Sequence, residues 1–286
     1  MIMQSKNEKI ELDSTSVVGF FDSGIGGLTV LKEFISLSIA ECIYVADTAN
    51  MPYGNKTLEE IKKYSEEIVR FLLIQGATTI IISCHTATAL GLEHLQKTFK
   101  NTHFIGVIDL VTLKAINATK NNRIGIIATQ ATIDSGAHKK AILDHNPHAL
   151  VFEQACPLLA SAVEFGTHQR QELDTLILKY IQPLLAENID TLILGSTHYD
   201  VIKEVIKSLT PPTLRLISAH EQMRQQFTPT TLNVTNTHNV RYYITGDKNS
   251  FLHSSKKILA IKPPSVTKLT NVLQLMNKNH SNLTIV

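Results

Sequence analysis

The sequence predicts an α/β protein built from two pseudo-symmetric domains, each a mainly parallel sheet flanked by helices. Three observations carry that expectation. Short apolar runs alternate with longer amphipathic stretches, and similar segments recur in both halves in the same order. The chain, at 286 residues, is also longer than one hydrophobic core usually spans.

Taken in order, the polar opening MIMQSKNEKIELDSTS lacks an apolar leader and reads as a flexible N-terminus over residues 1–16. Strand patterns follow at Val17–Phe21, Cys42–Ala46, Thr79–Ser83 and His103–Val107, with helical patterns at Leu28–Ser36 and Thr57–Gln75 between them. Ile61, Tyr64, Ile68, Phe71 and Leu72 recur at three- and four-residue spacing, which places them on one helix face. The second half repeats the alternation, with strands at Ile124–Ala128, Leu150–Gln154, Thr191–Gly195 and Tyr242–Ile244 and helices at Ser135–His145 and Gln169–Glu187. The strands carry few charges and many β-branched residues, as strands covered on both faces do.

The halves echo each other. Aligning Gly19 with Gly125 gives an offset of 106 residues, and aligning Cys84 with Ser196 gives 112. Duplication explains this, and chance similarity between apolar strands is the competing explanation. A boundary is expected near Ile108–Leu110 and a return crossing near Ile217–Glu221, just after the Pro211–Pro212 break. The first domain would then comprise residues 17–108 and 220–286, and the second residues 109–219. The tail after Pro264 is expected to be peripheral.

Composition excludes several classes. Hydrophobic residues make up 43% and charged residues 18%, too apolar a balance for a disordered chain. A formal charge of +2 without a dense Lys/Arg stripe gives no reason to expect a nucleic-acid or membrane partner. No apolar run is long enough to span a bilayer. Three cysteines and no secretory leader point to a cytoplasmic protein with free thiols. The 12 histidines form no recognisable ligand set, so no metal is expected.

In open parallel sheets, ligands bind beyond the carboxyl ends of the strands. Four segments put small or polar residues there. Asp22-Ser23-Gly24-Ile25-Gly26-Gly27 lacks the dinucleotide register and any Walker lysine. Its glycines suit a close backbone approach to a small anion, and Asp22 could be a helix cap or a catalytic group. Asp47-Thr48 followed by Met51-Pro52-Tyr53-Gly54 reads as an ordinary loop until a partner is found. Cys84-His85-Thr86 and Ser196-Thr197-His198 each follow an apolar run. Cys84 begins a helix, where the N-terminal dipole would lower the thiol pKa, whereas Cys42 and Cys156 read as inert core. A Cys84–His198 hydrolase is a generic alternative.

At these residues the chain resembles the glutamate racemases, within the aspartate/glutamate racemase superfamily. The segments that carry the resemblance are FFDSGIGGLTVLKEF, YVADTANMPYG, ISCHTATA, IGIIATQATIDSG, ACPLLASAVEFG, LILGSTHYD and ITGD. They run in family order from about Val17 to Leu259. The resemblance implies a substrate held in the cleft between two domains and racemisation with no cofactor, neither pyridoxal phosphate nor metal. It implies that Cys84 acts on the D-enantiomer, that Asp22, Glu164 and His198 assist proton transfer, and that Asp22, Ser23, Tyr53, Gly54, Thr86, Thr197 and His198 bind glutamate. It further implies supply of D-glutamate for peptidoglycan, and a homodimer as the common assembly.

Two positions depart from the family pattern. His85 stands at a substrate-binding position where the family has Asn, and brings an imidazole able to carry charge. Ser196 stands where the family has its second catalytic cysteine, the one that deprotonates L-glutamate. An alcohol is a far weaker acid than a thiol, so Ser196 would relay a proton only with a base such as His198 beside it. Three readings follow: a glutamate racemase that is weakened or carries an engineered Cys-to-Ser change; a one-cysteine relative that is another racemase, an isomerase or a decarboxylase; or a ligand-binding protein without catalysis. The persistence of the substrate loops and Glu164 favours the first.

Overall fold

The structure, a computed structural model, describes residue 12, residues 15–37, 40–166, 169–223, 227, 240–260, 263 and 265–269. The first half contains β1 (Val17–Asp22), α1 (Leu28–Ile35), β2 (Glu41–Ala46), a short 3-10 turn (Tyr53–Asn55), α2 (Leu58–Ile74), β3 (Thr79–Ile82), α3 (His85–Thr98), β4 (His103–Gly106) and α4 (Val107–Ala118). Then come β5 (Arg123–Ala128), α5 (Gln130–Asp134), α6 (Ala137–His145), β6 (Leu150–Ala155), α7 (Leu159–Phe165), α8 (Arg170–Ala186), β7 (Thr191–Gly195), α9 (Thr197–Val201), α10 (Lys203–Ser208) and β8 (Arg215–Ile217). The chain closes with α11 (Ala219–Met223), β9 (Val240–Ile244), α12 (Lys248–Leu259) and β10 (Val266–Lys268).

Two wholly parallel sheets result, in the orders β10-β9-β2-β1-β3-β4 and β6-β5-β7-β8. The run β2-β1-β3-β4 has the same connectivity as β6-β5-β7-β8. Strands β1 and β5 begin 106 residues apart, and β3 and β7 begin 112 apart, the offsets read from sequence. The echo is therefore a repeated architecture. Chance similarity would not have reproduced both strand order and spacing.

Alternation along each strand explains the layers. Val18 and Phe20 of β1 share one continuous apolar core with Ile124 and Ile126 of β5, through α1, α4 and α11. Phe21 points the other way, into a core with Ile68 and Leu72 of α2. The opposite face of the second sheet packs Ile127, Leu192 and Leu194 against Ile177 and Ile181 of α8. Helix α2 starts at a full capping box, Thr57 with Glu60, which satisfies two of its free amide groups.

Helix α4 has no counterpart among the expected elements. Val107, Ile108, Leu110, Val111 and Ala115 are all buried, so the segment is apolar on several sides and shows no stripe to read. The chain leaves the first sheet at Gly106, crosses in α4, and enters the second at Arg123. The single expected helix Ser135–His145 is instead two, α5 and α6, separated at Gly136, whose φ of 63° is left-handed. The tail is not simply peripheral, since β10 extends the first sheet and Val266 and Leu269 are buried. Most of the expected flexible N-terminus, and residues 270–286, lie outside the described residues. Among the described residues no helix is long and apolar enough to cross a membrane.

Candidate active site

Because all strands within each sheet run one way, the loops after β1, β2 and β3 gather at one edge, as do those after β5 and β7. These edges face each other across a narrow cavity. Ser23, Tyr53, Gly54, Cys84, His85 and Thr86 line it from the first half. Thr129, Ala160, Ser196, Thr197 and His198 line it from the second. Asp22 and Glu164 do not line it; they stand one layer behind, bonded to residues that do.

Cys84 caps α3 in extended conformation, and its Sγ lies 3.7 Å from Ser23 Oγ. The expected lowering of its pKa does not occur. Burial, reinforced by the negative charge of Asp22, pushes the thiol up to about 12. Hydrogen bonds from the Ala87 amide and from Ser23 act in the opposite direction but do not prevail. Cys42 and Cys156 are buried free thiols, and burial likewise raises both.

Ser196 caps α9 as Cys84 caps α3, so the repeat places a serine where symmetry calls for the partner of the thiol. Its Oγ accepts from the backbone N–H of His198 at 3.4 Å. The His198 ring does not bond to it. That ring is turned to Glu164, with Nε2 and Oε2 2.6 Å apart and both side chains buried. The condition for a proton relay from Ser196, a base such as the His198 ring bonded to its hydroxyl, is thus not met in this arrangement.

Asp22 is fully buried at the end of β1. Its Oδ1 accepts from Gly24 N at 2.8 Å and Ser23 Oγ at 3.2 Å, and its Oδ2 accepts from Thr197 Oγ1 of the other half at 2.8 Å. Burial raises its pKa, with His198 pulling the other way. The glycine loop lies close against the other half. A Cβ on Gly24 would lie 2.5 Å from Glu164 Oε2, and one on Gly26 would lie 2.6 Å from Thr197 Oγ1. At this loop Glu164 Oε2 accepts the Ile25 N–H at 3.0 Å.

The loop at Asp47 has its partner. Tyr53 donates its phenol proton to Asp47 Oδ2 at 2.6 Å, and Asp47 also accepts from Asn50 and from Thr245 after β9. Gly54 allows the turn to press on Thr129, whose Cβ would be 2.6 Å from an added Cβ. Thr86 joins Thr129 and Thr132 in a triangle of hydroxyls 2.8–3.0 Å apart, another bridge between the halves. His85 does not bring a charge. Burial, and then the proximity of His138, holds its pKa well below the ordinary value, so the ring is neutral.

Sequence reading brought Cys84, Ser196, Asp22, Glu164 and His198 into one place but missed Thr129, Thr132, His138 and Ala160. Thr129 was within reach, because the 106-residue offset carries Ser23 onto it. No three His, Cys, Asp or Glu side chains among the described residues gather as a metal site requires.

Residues 33–223 match the Asp/Glu/hydantoin racemase family. The glutamate racemase of Desulforudis audaxviator is 35% identical over 265 residues, covering 88% of this chain and 97% of that protein. Glutamate racemase isoform RacE1 from Bacillus anthracis superposes with a TM-score of 0.81 at 31% identity, covering 90% of this chain and 98% of the other. The glutamate racemase of Francisella tularensis, solved with D-glutamate, gives 0.80 at 30% identity and the same two coverages.

Proposed function

The chain belongs to the Asp/Glu/hydantoin racemase family, and from that premise we propose that it is an isomerase that moves the α-proton of glutamate, using Cys84 as its principal base and no cofactor. The observation that carries this reading is the pairing of Cys84 and Ser196. They cap matched helices after matched strands and border one cavity from opposite halves. Two groups so placed can address the two faces of one carbon, which is what inversion requires.

A buried thiol near 12 is not a base at neutral pH, so the bound substrate must change it. The α-ammonium of an amino acid beside Cys84 supplies positive charge where burial and Asp22 have disfavoured the thiolate. The thiol gives its proton to the nearby carboxylate of Asp22, whose own proton affinity burial raises, and the resulting thiolate takes the α-proton, leaving a carbanion stabilised by the adjacent carboxylate and a neutral thiol. Return of that proton to the same face regenerates the starting enantiomer. Inversion needs a donor on the other face, and Ser196 could give a proton only by becoming an alkoxide without a bonded base to relieve it. The enzyme is therefore a lopsided racemase, efficient at exchange and slow at inversion. D-Glutamate for the cell wall is the product this assigns to it.

The test is deuterium incorporation at Cα of D-glutamate in deuterated water, followed beside chiral analysis. Exchange should outrun inversion and vanish in Cys84→Ala. Ser196→Cys should raise L-to-D conversion by roughly 10²–10⁴-fold, the worth of a positioned acid–base group. Binding of glutamate with no exchange, or exchange that survives loss of Cys84, would remove this proposal in favour of a binding protein or another chemistry.

A further inference from the structure

One buried pair in the site has no part in the reaction as described so far. His85 Nδ1 and His138 Nε2 lie 3.0 Å apart, between the first turn of α3 and the second residue of α6. Their ring centroids are 5.2 Å apart and the planes differ by 15°. That separation exceeds the nitrogen contact by about two ring radii, so the rings meet edge to edge in nearly one plane. This is the geometry of an in-plane N–H···N hydrogen bond, in which one imidazole donates and the other accepts.

Both rings are about 1% exposed, and their outer nitrogens, His85 Nε2 and His138 Nδ1, have no hydrogen-bond partner. Burial keeps both histidines neutral, so each ring carries a single N–H. Only one proton can occupy the shared contact. The direction of that bond therefore decides whether His85 Nε2 bears a proton or a lone pair, and His85 lines the cavity beside Cys84. His138 also stands near the other side of the site, since an added Cβ on Gly195 would lie 3.5 Å from its Cε1. It thus abuts the residues adjoining both Cys84 and Ser196.

We propose that His138 is a positioning residue: it donates Nε2–H to His85 Nδ1 and so fixes the tautomer of His85 whose Nε2–H faces a carboxylate of the substrate. The argument rests on the function proposed above, because it is glutamate, with two carboxylates and one ammonium, that calls for donors. Several other hydroxyls around the cavity are already committed. Tyr53 donates to Asp47, Thr197 donates to Asp22, and Thr86 shares protons with Thr129 and Thr132. With the opposite tautomer, His85 would present a lone pair to an anion and repel it.

The test uses the full chain labelled with ¹⁵N-histidine. Long-range proton–nitrogen spectra of the ligand-free protein should show His85 protonated at Nε2 and His138 also protonated at Nε2. His85 protonated at Nδ1 would overturn the assignment, whatever the enzyme does with glutamate. In the exchange assay, His138→Phe should raise KM for D-glutamate about tenfold, with kcat changed much less, and His138→Gln, which restores an amide donor, should recover most of it. An unchanged KM in a folded His138→Phe protein would also overturn it. If that variant does not fold, the His85 resonance decides: D-glutamate should shift its Nε2–H, and an unmoved signal under conditions where exchange proceeds would reject the contact. Absence of exchange in every form, the parent included, would instead count against the proposed reaction, leaving the tautomer to be judged on the spectrum alone.

Discussion

Oε2 of Glu164 lies 2.6 Å from Nε2 of His198, and the same oxygen accepts the backbone N–H of Ile25 at 3.0 Å. A single carboxylate oxygen thus ties the loop after β1, from one half, to the helix α9 that carries Ser196, from the other. Both partners are buried, where hydrogen bonds involving charge are strong and a missing partner is costly.

The pair gives stability a defined pH dependence. Burial by itself would lower the His198 pKa, but the hydrogen bond and charge of Glu164, followed by Asp22 and Asp200, raise it above its ordinary value. A group whose folded pKa is raised contributes fully below its unfolded value, about 6.5, and loses that contribution as pH rises through the folded value. Urea unfolding should show the parent protein losing stability upward from about pH 6.5. Glu164→Gln should be less stable by about 2 kcal/mol at pH 6 and nearly flat across the same window. A parallel profile for the two proteins would show that His198 is not held charged by Glu164.

Cys84 in the ligand-free protein should be a slow nucleophile. With its pKa near 12, alkylation by iodoacetamide should accelerate about tenfold for each pH unit above 7, with modification mapped to Cys84 by mass spectrometry. Asp22→Asn removes the charge that opposes the thiolate and should speed alkylation at fixed pH while abolishing most α-proton exchange. A pH-independent rate would mean that the thiolate already exists in the empty site.

Gly26 should tolerate no side chain. An added Cβ would stand 2.7 Å from both the His198 amide nitrogen and the Thr197 carbonyl carbon, backbone atoms that cannot swing away. Gly26→Ala should cost about 1–3 kcal/mol as the two loops are pushed apart. Exchange at Cα should fall by about 10²-fold, the penalty for displacing a catalytic group by an ångström. Full activity in this variant would show that catalysis does not need the halves packed this closely.

Several of these features were open to a reader of the sequence, and the ones that were not share a cause. The long amphipathic helix α2 and the inner strands β1, β2, β3, β5 and β7 announce themselves through period and apolar density. Strands β8 and β10, with three residues each, are too short to show a pattern. Helix α4 hides because it is covered on more than one side. In the site, Cys84, Ser196 and Asp22 stand out as polar residues set directly after apolar runs. Thr132 and His138 lie inside α5 and α6, where nothing local separates a site residue from a buried one.

The sequence by itself determined the alternation of strand and helix, the internal repeat, and the substitution of a serine at one of two equivalent caps. These are properties of order and period along the chain. The tertiary structure alone decided how the two halves meet: that Glu164 joins His198 to Ile25 of the other half, that His138 meets His85 in the plane of its ring, and that burial disfavours the Cys84 thiol as an anion. Such facts depend on distances between residues 34 to 175 positions apart and on how much water their packing excludes, neither of which local pattern encodes.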